Sequence, residues 1–175
     1  MIITLYNIQR GVGMSGTSVW RVGSLDEQQL NDAGLGWLVT AGVDTLADNL
    51  GIRLLEAGPE CVRAEMPVTR RVMQPFGVLH GGATVALAET VASIGGCLNV
   101  NLATQVAVGL EINANHLRPK TGGIITATAT PIHRGSRTQV WDIRIADEAG
   151  LPVAIARCTL AVIPKPAETT PSQAP

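Results

Sequence analysis

The sequence predicts an α+β domain in which one long apolar helix is wrapped by a curved antiparallel sheet of five to six strands. Three observations predict it. Residues 82–98 carry Ala83, Val85, Ala86, Leu87, Ala88, Val91, Ala92 and Ile94 and leave almost no polar face; a helix apolar all round is a buried helix. Downstream lie four segments that alternate apolar and polar residues, the period of half-buried strands. No helix of crossover length separates them, so their pairing is mostly antiparallel.

The elements follow in chain order. Residues 1–43 read as a partly irregular leader, rich in Gly and polar residues and without a sustained period. Residues 44–50 form a short helix candidate that Gly51 would end. Residues 52–56 and 61–68 read as a strand pair around Gly58-Pro59, with Val62, Ala64 and Met66 alternating with Arg63 and Glu65. A loop over 69–79 contains Pro75 and Gly77, and 82–98 then reads as one long helix, closed near Gly95-Gly96. In the next segment Val106, Val108, Leu110, Ile112 and Ala114 are expected on one face, with Glu111, Asn113 and Asn115 on the other. Ile125, Ala127 and Ala129, then Trp141, Ile143 and Ile145, then Ala154, Ala156, Cys158, Leu160 and Val162 give the remaining apolar faces. The domain is thus expected over 44–163. Residues 164–175, with four prolines among Thr, Ser and Gln, read as a disordered tail.

Composition narrows the function classes. The chain has 175 residues, 15% charged, with a net charge of −1, which argues against a basic nucleic-acid binder. Aromatic residues at 3% leave little for stacking bases. No apolar run is expected to reach the ~18–20 residues that cross a bilayer, and no secretory signal is visible, so a cytoplasmic protein is expected. Cys61, Cys97 and Cys158 lie far apart and do not read as a disulfide framework or zinc site. His80, His116 and His133 show no i, i+4 pairing, so no metal and no cofactor are expected. Gly11-Val12-Gly13-Met14-Ser15-Gly16 matches a dinucleotide fingerprint in letters. The β-branched, Gly-broken stretch after it supplies no helix N-terminus for a pyrophosphate, so the match is set aside.

One anomaly carries chemistry. Glu89 sits in the middle of the buried helix, where a lone carboxylate is costly. Either it is a structural group at an exposed edge, or it is a catalytic carboxylate. Ser93 lies one turn on along the same face, either to position water or substrate, or to bond back to a helix carbonyl. His80-Gly81-Gly82 precede the helix. Glycines there let a ligand approach free N–H groups at the positive helix end, a place suited to an oxyanion. Gly81 and Glu89 are eight residues apart, or ~12 Å along a helix. That gap exceeds what a Glu side chain leaning back can close. If both act, they come from different subunits, so an obligate dimer with shared sites is expected.

Gln74-Pro75-Phe76-Gly77-Val78-Leu79-His80-Gly81-Gly82-Ala83, followed by Leu87-Ala88-Glu89, resembles the hotdog-fold acyl-CoA thioesterases. The stretches 108–116 and 133–141 extend the resemblance, which covers roughly 50–163. It looks closest to the branch containing 1,4-dihydroxy-2-naphthoyl-CoA hydrolase and the 4-hydroxybenzoyl-CoA thioesterase of the Arthrobacter type. The resemblance implies dimers, usually paired into homotetramers. It implies Glu89 as the catalytic carboxylate, Gln74 near the thioester carbonyl, Gly81 as polarising N–H, Ser93 as the helix hydroxyl and His80 as the motif histidine. It also implies that the CoA part of the substrate is held by Gly109, by His116, Leu117, Arg118 and Pro119, and by His133, Arg134, Gly135, Ser136, Arg137 and Thr138. The expected reaction is hydrolysis of an aromatic acyl-CoA to free acid and CoA, with Glu89 as general base or nucleophile. The rivals are a non-catalytic acyl-CoA-binding module and a dehydratase on the same fold.

Overall fold

The computed structural model describes Asn31, Leu35, Gly36 and residues 44–166. The short helix α1 spans Leu46–Leu50, with Thr45 as its N-cap and Gly51, at φ 71°, ending it in the left-handed region. β1 (Arg53–Ala57) and β2 (Val62–Pro67) follow, then a 3-10 turn at Arg70–Val72 and the long helix α2 (Gly81–Leu98). β3 (Gln105–His116), β4 (Ile124–Arg134), β5 (Thr138–Asp147) and β6 (Pro152–Pro164) complete the chain order. The six strands form one sheet in the order β1-β2-β4-β5-β6-β3, every neighbour antiparallel. The expected long helix on an antiparallel sheet is what is observed.

Burial explains the arrangement. Leu87, Ala88, Val91 and Ala92 of α2 are fully enclosed, as are Ala64, Met66, Ala127, Ala129, Trp141, Ile143, Ala154 and Leu160 on the sheet face opposite. Each large aliphatic side chain removed from water there contributes ~1.5–3 kcal/mol. Trp141 keeps its polar edge satisfied in this core. Its indole N–H donates to Gln139 Oε1 at 3.1 Å, and Gln139 in turn donates to the Gly96 carbonyl at 3.4 Å.

The long helix expected over 82–98 is observed over Gly81–Leu98, capped by Asn99. The two glycines give no break because each is filled from outside: a Cβ on Gly95 would lie 2.5 Å from the Trp141 ring, and one on Gly96 2.4 Å from Leu160 Cδ1. Two expectations need correction. First, β3 does not keep one apolar face. Its register against β6 shifts between Gly109 and Glu111, so Leu110 is an inserted residue. Ala107 and Gly109 share the inner face with Ile112 and Ala114, opposite Val162, Leu160, Cys158 and Ala156, and Leu110 is exposed. Bulges of this kind re-aim side chains beside functional sites. Leu35, within 1–43, is also fully buried in the core. Second, α2 does have the length and hydropathy of a membrane span. Here β2 to β6 pack against one side of it, and half of it is buried. The Gly11–Gly16 run and the tail from 167 onward lie outside the described residues, as does most of the leader.

Candidate active site

The first turn of α2 decides which donors stay open. His80 is its N-cap, and the His80 Nδ1 atom accepts the Gly82 N–H at 2.8 Å. That bond requires Nδ1 to be unprotonated. The N–H groups of Ala83 and Thr84 donate to the His80 carbonyl. Among the described residues, only the Gly81 N–H of this turn has no acceptor. The helix start thus presents one unsatisfied donor at its positive end.

Gly81 faces a cleft of about 310 Å³, also lined by Gln74, Thr84, His116, Arg118 and Lys120, with Val78, Leu79 and Leu117 as apolar walls. Its lack of a side chain is required there, because a Cβ would lie 2.8 Å from His116 Nε2. Gln74 is half-buried and its Oε1 accepts the Phe76 N–H at 2.8 Å. Arg118 has no ion-pair partner among the described residues. Lys120 is instead held by Glu148 at 2.6 Å and Asp147 at 3.8 Å, and its ammonium draws the exposed Glu148 carboxyl below the usual range.

Glu89 occupies a different stretch of α2. It is half-buried, and neither its carboxylate nor the Ser93 hydroxyl has a hydrogen-bond or ion-pair partner among the described residues. Thr90, between them, does bond back to the Ala86 carbonyl at 2.7 Å, so the open state of Ser93 is not general to hydroxyls on this helix. Glu89 Oε1 lies 3.1 Å from where a Cβ on Gly109 would stand. Glycine at 109 therefore leaves the carboxylate its room. The same closeness shows in Cys158, whose thiol is pushed up to about 12 by burial and then by the negative charges of Glu89 and Glu111. Glu89 is not among the residues lining the Gly81 cleft.

Apart from Gly109, which lies beside Glu89, the residues expected to hold CoA fall into two groups. His116, Leu117, Arg118 and Pro119 sit in the cleft at the N-terminal end of α2. The β4–β5 turn sits at the other end, where Arg134 bonds Glu60 and also Asn99, the C-cap of α2, at 3.3 Å. His133 packs against Gly135, while Ser136, Arg137 and Thr138 are exposed. An 18-residue helix is ~27 Å long, so one chain does not bring the two groups together. Sequence reasoning left Lys120 unassigned and missed Thr84, a buried polar residue in the cleft wall. A threonine on the first turn of an otherwise apolar helix was the available signal for the latter. Among the described residues, no group of three or more His, Cys, Asp or Glu could hold a metal ion.

Comparison with known proteins identifies the family. The Thioesterase superfamily model matches residues 76–154. The putative esterase PA1618 of Pseudomonas aeruginosa is 45% identical over 147 residues, 84% of this chain and 95% of that protein. The 1,4-dihydroxy-2-naphthoyl-CoA hydrolase of Escherichia coli is 44% identical over 122 residues, 70% of this chain and 89% of that protein. Among solved structures, a thioesterase of Haemophilus influenzae superposes with a TM-score of 0.71 at 40% identity, covering 86% of this chain and 99% of that one. The chain belongs to the thioesterase superfamily, with its hotdog fold and its thioester hydrolase activity.

Proposed function

We propose that this thioesterase hydrolyses acyl-CoA, and aromatic acyl-CoA in particular, at sites that two subunits complete together. The observation that carries the reading is a pair of open groups on α2: among the described residues, the Gly81 N–H has no acceptor and the Glu89 carboxylate no partner. They stand ~12 Å apart along the helix axis, too far to serve one carbonyl from one chain. The sheet supports the same reading. β3 is an edge strand of 12 residues, and a long open edge is a template for another strand. A second β3 running antiparallel against it would set two α2 helices side by side in opposite directions, Glu89 of one near the Gly81 cleft of the other. Two such dimers would make the homotetramer.

The chemistry then runs as follows. The thioester oxygen sits between the Gly81 N–H and the Gln74 amide, which hold the negative charge that develops on it. Glu89 takes a proton from a water that Ser93 helps to position, and the water oxygen bonds to the carbonyl carbon. The tetrahedral intermediate collapses, the C–S bond breaks, and the thiolate leaves with the proton from Glu89. Arg118 and Arg137, exposed and without ion-pair partners among the described residues, offer planar donors to CoA phosphates from opposite ends of the helix. The aromatic preference rests on the relatives named 1,4-dihydroxy-2-naphthoyl-CoA hydrolase, from Escherichia coli and Listeria monocytogenes, the latter 46% identical over 117 residues.

Glu89→Gln tests the core of this reading. Thiol release should fall by about 10²–10⁴-fold while the fold persists; near wild-type turnover would end it. Benzoyl-, phenylacetyl-, naphthoyl- and medium-chain acyl-CoAs compared by kcat/KM test the acyl class, and a flat or aliphatic-leaning profile would overturn the aromatic preference.

A further inference from the structure

Residues 73–79 form a small closed hairpin ahead of α2. Met73 and Leu79 bridge across it. The Gln74 N–H donates to the Val78 carbonyl at 2.9 Å, and the Gly77 N–H to the Gln74 carbonyl at 3.0 Å. Gly77 takes φ 80°, which a residue with a side chain adopts only with strain. At the tip stands Phe76, its ring 91% exposed. Such exposure leaves the ring with little to do in the fold. Its backbone N–H is another matter, since it donates to Gln74 Oε1 at 2.8 Å.

A primary amide accepts on its oxygen and donates on its nitrogen. A backbone N–H only donates. The bond from Phe76 therefore decides which end of the Gln74 amide faces the turn. The oxygen is committed to the loop, and the NH₂, which has no acceptor among the described residues, is left for the cleft that Gln74 lines. The reversed amide would aim an oxygen lone pair at the developing oxyanion and repel it.

We infer that the Phe76 backbone N–H is a positioning group for thioester hydrolysis: it holds the Gln74 amide with its donor end toward the thioester oxygen, beside the Gly81 N–H. This rests on the reading of the cleft as the thioester site. A donor already aimed needs no reorientation as charge develops, which is why such groups act on kcat more than on substrate binding.

The test replaces Phe76 by phenyllactic acid, so that an ester oxygen stands where the N–H was and the ring is kept. The Pro75 carbonyl, weakened as an acceptor by this change, accepts no hydrogen bond among the described residues. The ester oxygen faces Gln74 Oε1 acceptor to acceptor and drives the amide to turn over. The expected result is a fall in kcat of about 10-fold or more, with KM within about 2-fold of wild type. In a Gln74→Ala background the same replacement should have no further effect, because nothing is left to orient. A kcat within about 2-fold of wild type, or an equal loss with and without Gln74, overturns the positioning role. Scalar coupling across the hydrogen bond, from the Phe76 amide nitrogen to the Gln74 side-chain carbonyl carbon, reads the amide orientation without any turnover, and its absence also overturns the inference. A wild-type chain that releases no thiol from any acyl-CoA while showing the coupling sinks the thioester reading, and the catalytic role with it, but not the orientation. An active wild type whose ester variant keeps pace sinks the positioning role alone.

Discussion

At its N-terminal end α2 begins with Gly81-Gly82, and at its C-terminal end it carries Gly95-Gly96. The space beside the two pairs differs. A side chain on Gly95 would meet three atoms of the Trp141 ring at 2.5 to 2.9 Å, and Trp141 is fully buried with its N–H already bonded. A side chain on Gly81 would meet the imidazole of His116, an exposed residue at the rim of an open cleft. At one end glycine admits protein and closes the core. At the other it opens onto a cleft and, among the described residues, leaves an N–H without an acceptor. The same residue type thus marks packing or chemistry according to whether its neighbour can move.

That contrast is sharpest in two substitutions. Gly95→Ala should cost about 2–3 kcal/mol, near the upper part of the range for overpacking a tight core. A planar ring enclosed on all sides cannot yield without disturbing β5. The folded fraction should keep normal turnover. A denaturant midpoint that does not move would show that Trp141 has room and would remove the contrast. Gly81→Ala should do the reverse. Stability should change by less than about 1 kcal/mol, because helix propensity favours Ala while His116 swings aside. The kcat/KM should nevertheless drop by about 10-fold, or ~1.4 kcal/mol, as the methyl and displaced imidazole crowd the oxyanion position. Equal effects of the two substitutions on stability would make the two ends alike.

The difference between the ends also explains what was legible in the sequence. Strand alternation and the apolar helix read correctly because periodicity is local and the core needs it. The packing role of Gly95-Gly96 was not legible because its reason lies on β5 and β6, about 45 and 65 positions downstream. Leu110 misread as a core residue because a bulge leaves the alternation of letters intact and changes only the register against β6. The motif around Gln74, His80, Gly81 and Glu89 was legible as a set of residue types. Its division into an N-terminal cleft and a separate carboxylate emerged from helix rise alone. The separation of 116–119 from 133–138 did not, since β4 carries the chain from one end of the domain to the other and nothing in the residue types records that distance.

His80 offers a smaller test at the same helix end. As N-cap it is worth about 1 kcal/mol, so His80→Ala should lower stability by that amount. His80→Asn should restore most of it, since Asn caps well. If capping is the main role of His80, turnover should recover with stability in the Asn variant. Recovery of stability without recovery of turnover would assign the imidazole a part in proton transfer, and the first turn of α2 would then supply more than an open N–H.

The smallest expected effect bears on where Glu89 points. Burial pushes the Cys97 thiol up to about 11, and burial together with the charges of Glu89 and Glu111 pushes Cys158 up to about 12, each from an ordinary 9.0. Both thiols thus hold their protons longer folded than unfolded. Their contribution to stability is whole below pH 9.0 and declines as pH climbs from there through the folded values of about 11 and about 12. Removing the Glu89 charge in Glu89→Gln should make Cys158 more acidic while leaving Cys97 unchanged, so the alkaline loss of stability should be shallower than in wild type. Cys61 is raised by burial as well, so ultraviolet thiolate absorbance, followed alongside unfolding across that window, isolates Cys158 when Cys61→Ala and Cys97→Ala are used together as background. An alkaline limb that is identical with and without the Glu89 charge would mean that the carboxylate faces away from Cys158. It would then also face away from the gap at Gly109, and the room kept open there would need another occupant.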